Sequence, residues 1–246
     1  MRAAPRCLVM SAALVGLTGA GQALAEPVPL AAGEYPPLTG ESEPGGGLLS
    51  RVVLAAYATQ GDGVRVTYLP WQRGFNETRS GFYTGTYPYV KNAEREAEFL
   101  YSAPLFADHI RLFGLQATEL PVQWAHKAVC VPLGHSLQQI QSFVTMRFAR
   151  LERPATVGHC FQLLQLGRVH AVWASETVAE QVTRQLRATG LRYKPLQEEV
   201  DYSVEYYLIV PKVHPDAAGV IQRFNSGLTH IRKSGVYKKI MGALVP

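Results

Sequence analysis

Apolar strand-like segments alternate with helical segments along the first third of the chain, and this alternation restricts the possible folds more than any other feature. Strand-like runs occupy residues 28–31, 64–69 and 82–89, and helical segments occupy residues 48–57 and 71–79. Strands that alternate with helices in this way pair in parallel, because each helix carries the chain back across the sheet. The sequence therefore predicts an α/β fold.

The first 25 residues have the composition of a secretory signal peptide. Arg2 and Arg6 give a positive start, residues 7–20 are apolar or small, and Ala-Leu-Ala at 23–25 fits a cleavage site. The apolar stretch is too short and too interrupted by glycine for a membrane span, although an uncleaved anchor stays open as the alternative. We therefore expect a periplasmic, monomeric protein that is cut after Ala25.

Charge and cysteine content limit the classes of partner. The chain has 24 Lys and Arg residues against 19 Asp and Glu residues, with no basic block, so we expect no nucleic-acid partner. Cys130 and Cys160 follow the cleavage site, and two cysteines in an exported protein predict a disulfide, with two free thiols as the alternative. His126, His135 and His159 show no metal-ligand spacing, so neither a metal nor another cofactor is expected.

An unusually aromatic block lies between residues 70 and 106. Gly and Pro interrupt it too often for a single core strand, and aromatic walls with a few fixed charges are typical of a small-molecule site. Its aromatic residues before position 90 are Trp71, Phe75, Phe82, Tyr83, Tyr87 and Tyr89.

Catalytic motifs are missing from the sequence. It contains no nucleophile elbow, no zinc-protease His-Glu-x-x-His, no Cys-x-x-Cys and no dinucleotide-binding glycine motif. These motifs therefore indicate no enzyme class, and an enzyme that lacks them stays open as an alternative.

Three stretches give the chain a resemblance to a known family. Asn92 to Arg95 reads as a turn, Tyr-Ser-Ala-Pro follows at 101–104, and the chain ends with His-Pro, Phe-Asn-x-Gly-Leu and Ser-Gly-x-Tyr between 214 and 237. In this the chain resembles the periplasmic solute-binding proteins of ABC importers, in the family typified by amino-acid binders (bacterial extracellular solute-binding protein family 3).

The resemblance implies the type II periplasmic-binding-protein fold. Each of its two lobes has a mixed, mainly parallel sheet flanked by helices, and two crossovers join the lobes. It places the first lobe at residues 26–110 and 205–246 and the second at residues 111–204.

The resemblance also implies a ligand site between the lobes. Arg95 would hold the ligand carboxylate, beside Asn92, which stands where Thr or Ser is commoner. The implied apolar walls are Tyr35, Trp71 and Tyr89. The contacts implied from the second lobe are Gly134, His135 and Ser136, a Gly-x-Ser turn predicted to open a helix and to present backbone N–H groups to an anion.

One stretch departs from the family pattern. Gly-Arg-Val-His-Ala at 167–171 matches except that His170 replaces an Asp, and Ser175, followed by Glu176, stands where the family's ammonium-binding Asp falls. The ligand therefore either uses Glu176 or lacks a cationic amine. We expect capture of a small carboxylate-bearing ligand, an amino acid or a related organic acid, for import with a membrane permease as partner. The alternatives left open are an exported lyase of the dehydratase type and a ligand sensor without transport.

Overall fold

The computed structural model describes residues 26–119, 122–186, 192–196 and 201–244, so the predicted signal peptide lies outside the described residues. The strands are β1 Val28–Ala32, β2 Val64–Tyr68, β3 Gly85–Tyr89, β4 Phe99–Tyr101, β5 Phe106–Leu115, β6 Ala128–Cys130, β7 Arg150–Glu152, β8 Ala171–Ser175, β9 Tyr193–Pro195 and β10 Tyr202–Pro211. The helices are α1 Leu48–Ala58, α2 Trp71–Arg79, α3 Ala93–Glu98, α4 Gln141–Met146, α5 Val157–Gln165, α6 Glu176–Leu186, α7 Ala217–Lys233 and α8 Val236–Met241.

The strands form one mixed sheet in the order β2-β1-β3-β10-β5-β8-β6-β7, with β4 on β10 and β9 on β5. Strands β1, β2 and β3 pair in parallel, and so do β6, β7 and β8. Strands β5 and β10 are antiparallel to all their neighbours. The α/β prediction is therefore confirmed.

Strands β5 and β10 connect the two halves of this sheet. Residues 106–110 of β5 pair with residues 202–206 of β10, and we call this paired segment the junction. Beyond it, β10 continues beside β3 and β4, while β5 continues beside β8 and β9. We call the part that contains β1 to β4 the first half-sheet and the part that contains β6 to β9 the second half-sheet. The resemblance implies two crossovers between lobes, and in the structure these two strands run from one half-sheet to the other.

Close helix packing covers the first half-sheet. Helix α1 lies against α7, where a Cβ atom on Gly227 would fall 2.1 Å from the carbonyl oxygen of Ala56. Phe224 and Leu228 of α7 are fully buried in this contact layer. Asp216 caps α7, because its Oδ1 accepts the Gly219 N–H at 3.2 Å, as expected of an acidic residue before an apolar helix.

A disulfide and a second apolar cluster organise the other half. Cys130 of β6 is bonded to Cys160 of α5, which confirms the predicted pairing. Trp124, Phe143 and Trp173 form part of a buried cluster on this half. Within the described residues, no helix is both long and apolar enough to cross a membrane.

The prediction that a helix opens at residues 134–136 is wrong. Gly134 has a left-handed φ of 81°, and the helix begins only at Gln141. Ser136 is not its cap, because Ser136 Oγ accepts the N–H of Gln138, two residues later, at 3.3 Å. A serine that bonds locally in this way favours a turn over a helix.

Candidate functional site

A small cavity of about 60 Å³ lies where the two half-sheets face each other. The cavity is only partly enclosed and adjoins a wider groove that Arg95, Gly134, His135 and Ser136 also line. The predicted site residues that line the cavity are Tyr35, Trp71, Tyr89, Arg95, Gly134, His135, Ser136 and Ser175.

Three aromatic rings from the first half-sheet form one wall. The Trp71 ring lies edge-on to Tyr35, with centroids 6.2 Å apart, and edge-on to Tyr89, at 5.7 Å. Trp71 begins α2, and Gly33 makes room for its indole, since a Cβ atom at position 33 would fall 2.3 Å from the ring. Edge-to-face packing of this kind fixes the ring planes and leaves an apolar surface for a ligand.

Arg95 brings a positive charge to the cavity. Its guanidinium carbon lies 5.0 Å from the centroid of the Tyr89 ring, and Nη1 donates to the Val90 carbonyl at 3.0 Å. Among the described residues no carboxylate forms an ion pair with Arg95; Glu98, a neighbour in sequence, lies 3.9 Å from Arg79 instead. A guanidinium has five N–H donors. Most of the donors of Arg95 therefore have no acceptor in these contacts.

The loop that carries Gly134 and His135 closes the cavity from the second half-sheet. The His135 ring centroid lies 5.3 Å from Tyr35 and 6.5 Å from Trp71. Burial lowers the pKa of His135 to about 4, with smaller contributions from Arg153 and Arg95. The imidazole is therefore neutral at neutral pH. Gly134 lies directly against α2, because a Cβ atom there would fall 2.7 Å from the Trp71 Cβ.

Hydroxyl groups gather at the inner end of the cavity. The Tyr35 and Tyr206 hydroxyls are 3.2 Å apart, and the Ser175 hydroxyl lies beside Tyr35. Burial raises the pKa of Tyr35 to about 12 and raises the pKa of Tyr206 well above its ordinary value. Both tyrosines are therefore protonated at neutral pH. Ser175 Oγ also accepts the Val178 N–H at 3.3 Å, so this serine caps α6.

Asn92 and Glu176 do not line the cavity. Asn92 caps α3, since its Oδ1 accepts the Arg95 N–H at 2.8 Å, and it borders an adjoining open groove that Arg153 also lines. The Glu176 carboxylate lies 3.6 Å from Arg111. The side chain of Asn92 thus positions α3, and the placement of Glu176 does not support a role as ligand acid.

Polar residues at the site that were not predicted from the sequence include Tyr206, Asp108 and Gln139, of which Gln139 also lines the cavity. Tyr206 lines the cavity from β10, and Asp108 of β5 is only 7% exposed, with Ser175 and Thr177 beside its carboxylate. No distinct signal for Asp108 was present in the sequence, because His109 and Arg111 interrupt the same apolar run, residues 105–115, and make the carboxylate read as part of a polar face. No group of three or more His, Cys, Asp or Glu side chains fit for a metal ion occurs in the described part of the chain.

Solved structures of known proteins share the fold. No protein-family model and no curated protein sequence matches the chain. An ancestral arginine-binding protein bound to arginine has a TM-score of 0.77 and 18% identity, covering 91% of this chain and 100% of that chain. A histidine kinase sensor domain with similarity to periplasmic binding proteins has 0.75 and 17%, covering 89% and 96%. The substrate-binding protein of an amino acid ABC transporter has 0.73 and 15%, covering 89% and 98%. The chain thus has the two-lobe α/β fold of periplasmic binding proteins.

Proposed function

We propose that this protein is a periplasmic solute-binding protein that captures a small carboxylate-bearing ligand between its two lobes. The lobes are residues 26–110 with 205–246, and residues 111–204. The observation that carries the proposal is the guanidinium of Arg95, which lines a partly enclosed cavity against Tyr89 and forms no ion pair among the described residues. An unpaired cation in such a site favours an anionic ligand.

Arg95 holds the ligand carboxylate through two parallel hydrogen bonds. A guanidinium is planar and presents paired donors that match the two oxygens of a carboxylate. Its stacking on Tyr89 and its bond to the Val90 carbonyl fix its orientation before the ligand arrives, which reduces the entropy lost on binding. Tyr35 and Trp71 then cover the apolar part of the ligand.

Ligand entry and release require the two lobes to move apart. Gly134 and His135 contact Trp71 and Tyr35 across the cavity, so this contact has to break before a larger ligand enters. Strands β5 and β10 are the two connections between the lobes, so the bending takes place in them. Closure around a bound ligand about such crossings is the hinge motion that two-lobe binding proteins use.

The proposed partner is the membrane permease of an ABC importer. The similarity to the substrate-binding protein of an amino acid ABC transporter supports this assignment. A second candidate is a ligand sensor without transport, which the similarity to a histidine kinase sensor domain favours. Amino acids and related organic acids are the ligand class for both.

The substitution Arg95→Ala tests the proposal. Truncating one partner of a buried charged hydrogen-bonded pair costs about 2–5 kcal/mol, so we expect at least a 30-fold loss of affinity for every carboxylate ligand found by calorimetric screening. The melting temperature of the empty protein should fall by about 4–8 °C at most, because the lost contacts with Val90 and Tyr89 are worth about 1 kcal/mol each.

Arg79→Ala is the matched control. Its guanidinium carbon lies 6.0 Å from the Phe75 ring, as that of Arg95 does at 5.9 Å, but Arg79 does not line the cavity. We expect Arg79→Ala to bind as the parent does. If Arg95→Ala also binds as tightly as the parent, the carboxylate site lies elsewhere and the proposal is wrong.

A further inference from the structure

The described residues that line the cavity include a positively charged side chain but no negatively charged one. Among the described lining residues Arg95 carries the only fixed charge, and His135 is neutral at neutral pH. A ligand carboxylate would neutralise Arg95. Asp108 is a second ionisable group near the cavity, and it lies behind the residues that line it.

Strand geometry directs Asp108 toward the cavity. Asp108 lies opposite Val204 in the antiparallel pairing of β5 with β10, and Phe106 lies opposite Tyr206. Side chains alternate along a strand, so Asp108 shares its face with Ile110, two residues later. Ile110 and Tyr206 both line the cavity. Asp108 therefore points to the same side, behind the hydroxyls of Tyr206 and Ser175.

Among the described residues the carboxylate of Asp108 forms no ion pair. Its Oδ1 accepts the N–H of His109 at 2.8 Å, while its Oδ2 is buried without a hydrogen bond among the described residues. The basic side chains nearby in sequence are engaged with Asp201, to which His109 and Arg111 each lie at 3.1 Å. Burial raises the pKa of Asp108, and the His109 N–H with the nearby Ser175 and Thr177 groups offsets only part of this. A buried carboxylate without a counter-charge is costly, and a cation that arrives beside it offsets that cost.

We propose that Asp108 provides the counter-charge for a cationic nitrogen of the ligand, through the hydroxyl of Ser175. The ligand nitrogen donates to Ser175 Oγ, and the Ser175 hydroxyl donates to Asp108 Oδ2. Ser175 Oγ can accept this bond as well as the Val178 N–H, because a hydroxyl has two lone pairs and one proton. The ligand is then a zwitterion, with its carboxylate at Arg95. This inference rests on the proposed function.

This arrangement explains why a serine suffices at position 175. Ser175 keeps the capping bond to α6, and the negative charge comes from the neighbouring strand β5. Glu176 is the competing acid, but its carboxylate pairs with Arg111 and does not line the cavity.

Paired ligands that differ only in the amine test the assignment. The wild-type protein is titrated by calorimetry with each standard L-amino acid and with the carboxylic acid that lacks its α-amino group, such as L-alanine with propionate and L-glutamate with glutarate. A hydrogen bond to a charged group is worth about 10- to 100-fold in affinity. We expect the amine-bearing member to bind tighter by that factor.

Asp108→Asn should remove this preference. The amino acid should lose about 10- to 100-fold in affinity, while the acid without the amine should change by less than about threefold, which a general loss of fold would not produce. Asp201→Asn is the matched control, because Asp201 also approaches β5 but is half exposed and pairs with His109 and Arg111. It should keep the preference.

Several outcomes overturn the assignment. If the wild type binds both members of each pair equally, and Arg95→Ala weakens both, the proposed function stands and Asp108 has no role in binding. The same holds if Glu176→Gln, rather than Asp108→Asn, removes the preference. If no member of any pair binds, both proposals fail. The wild-type comparison remains decisive even if Asp108→Asn does not fold.

Discussion

His135 is the titratable side chain through which acid acts on the contact between the lobes. Its ring lies against Tyr35 and Trp71, and burial with the nearby Arg153 and Arg95 lowers its pKa from 6.5 to about 4. In the unfolded chain the ring takes a proton near pH 6.5. In the folded protein the ring takes a proton only near pH 4. Between these two pH values protonation of His135 therefore lowers the free energy of unfolding.

The size of the effect follows from the pKa difference. A difference of about 2.5 units is worth roughly 3 kcal/mol when it acts over its whole range, at 1.36 kcal/mol for each unit. This stability is fully present above pH 6.5 and is lost as the pH falls toward 4. Between pH 7.5 and 4.5 the loss is about 2.5 kcal/mol. Burial also lowers the pKa of His170, away from the cavity, and this acts in the same direction.

Urea unfolding of the wild type and of His135→Phe isolates the contribution of His135. Phe keeps an aromatic ring between Tyr35 and Trp71 but does not titrate. We expect the wild type to lose about 2.5 kcal/mol more than the variant between pH 7.5 and 4.5. His159→Phe, a change at an exposed position of α5, should behave as the wild type. If wild type and His135→Phe lose equal stability to within about 0.5 kcal/mol, the imidazole is not held neutral by this contact.

Two further predictions concern the disulfide and the loop that closes the cavity. Replacing Cys130 and Cys160 by Ala should lower the free energy of unfolding by about 3–4 kcal/mol, because the bond closes a loop across a separation of 30 residues. Denaturant unfolding measures this loss. Adding reductant should not destabilise the double variant further. A loss below about 1 kcal/mol would contradict the chain-entropy argument. Gly134→Ala should weaken ligand binding about 10-fold or more, because its Cβ would meet Trp71 at 2.7 Å. Gly167→Ala, also at a left-handed φ but with nothing within 4 Å, should bind normally in the same calorimetric assay, and equal losses in both variants would refute the contact argument.

Most of the fold is readable from local patterns. The helix predicted at residues 71–79 is observed as Trp71–Arg79, and the strand predicted at 64–69 is observed as Val64–Tyr68. Local periodicity is sufficient there because burial of one face determines the element. The strand predicted from residue 82 begins only at Gly85, since residues 80–84 form a turn. The resemblance implied two crossovers, but the pairing of β5 with β10 was not predicted, because local patterns do not encode pairing between distant strands.

The site was predicted less completely than the fold. Arg95, Trp71 and Tyr89 were predicted because they lie in one compact stretch with matching motifs, while Tyr35 was predicted from the family resemblance alone. Asp108 and Tyr206 were missed because their neighbours come from strands about a hundred residues apart, and strand register decides which way they point. His135 was expected as a loop contact, but its ring packs against Tyr35, which depends on how the two lobes meet.

The antiparallel pairing within the junction affects how the lobes can move. Two separate single-strand linkers would let the lobes twist and slide in many directions. Here residues 106–110 and 202–206 share one ladder of hydrogen bonds, so the two connections have to bend together as a ribbon. A ribbon bends easily across its face and resists bending within its plane. The lobes can therefore move relative to each other largely by bending of this ribbon across its face. Asp108, Ile110 and Tyr206 lie on one of the two faces of the ribbon, the one turned toward the cavity.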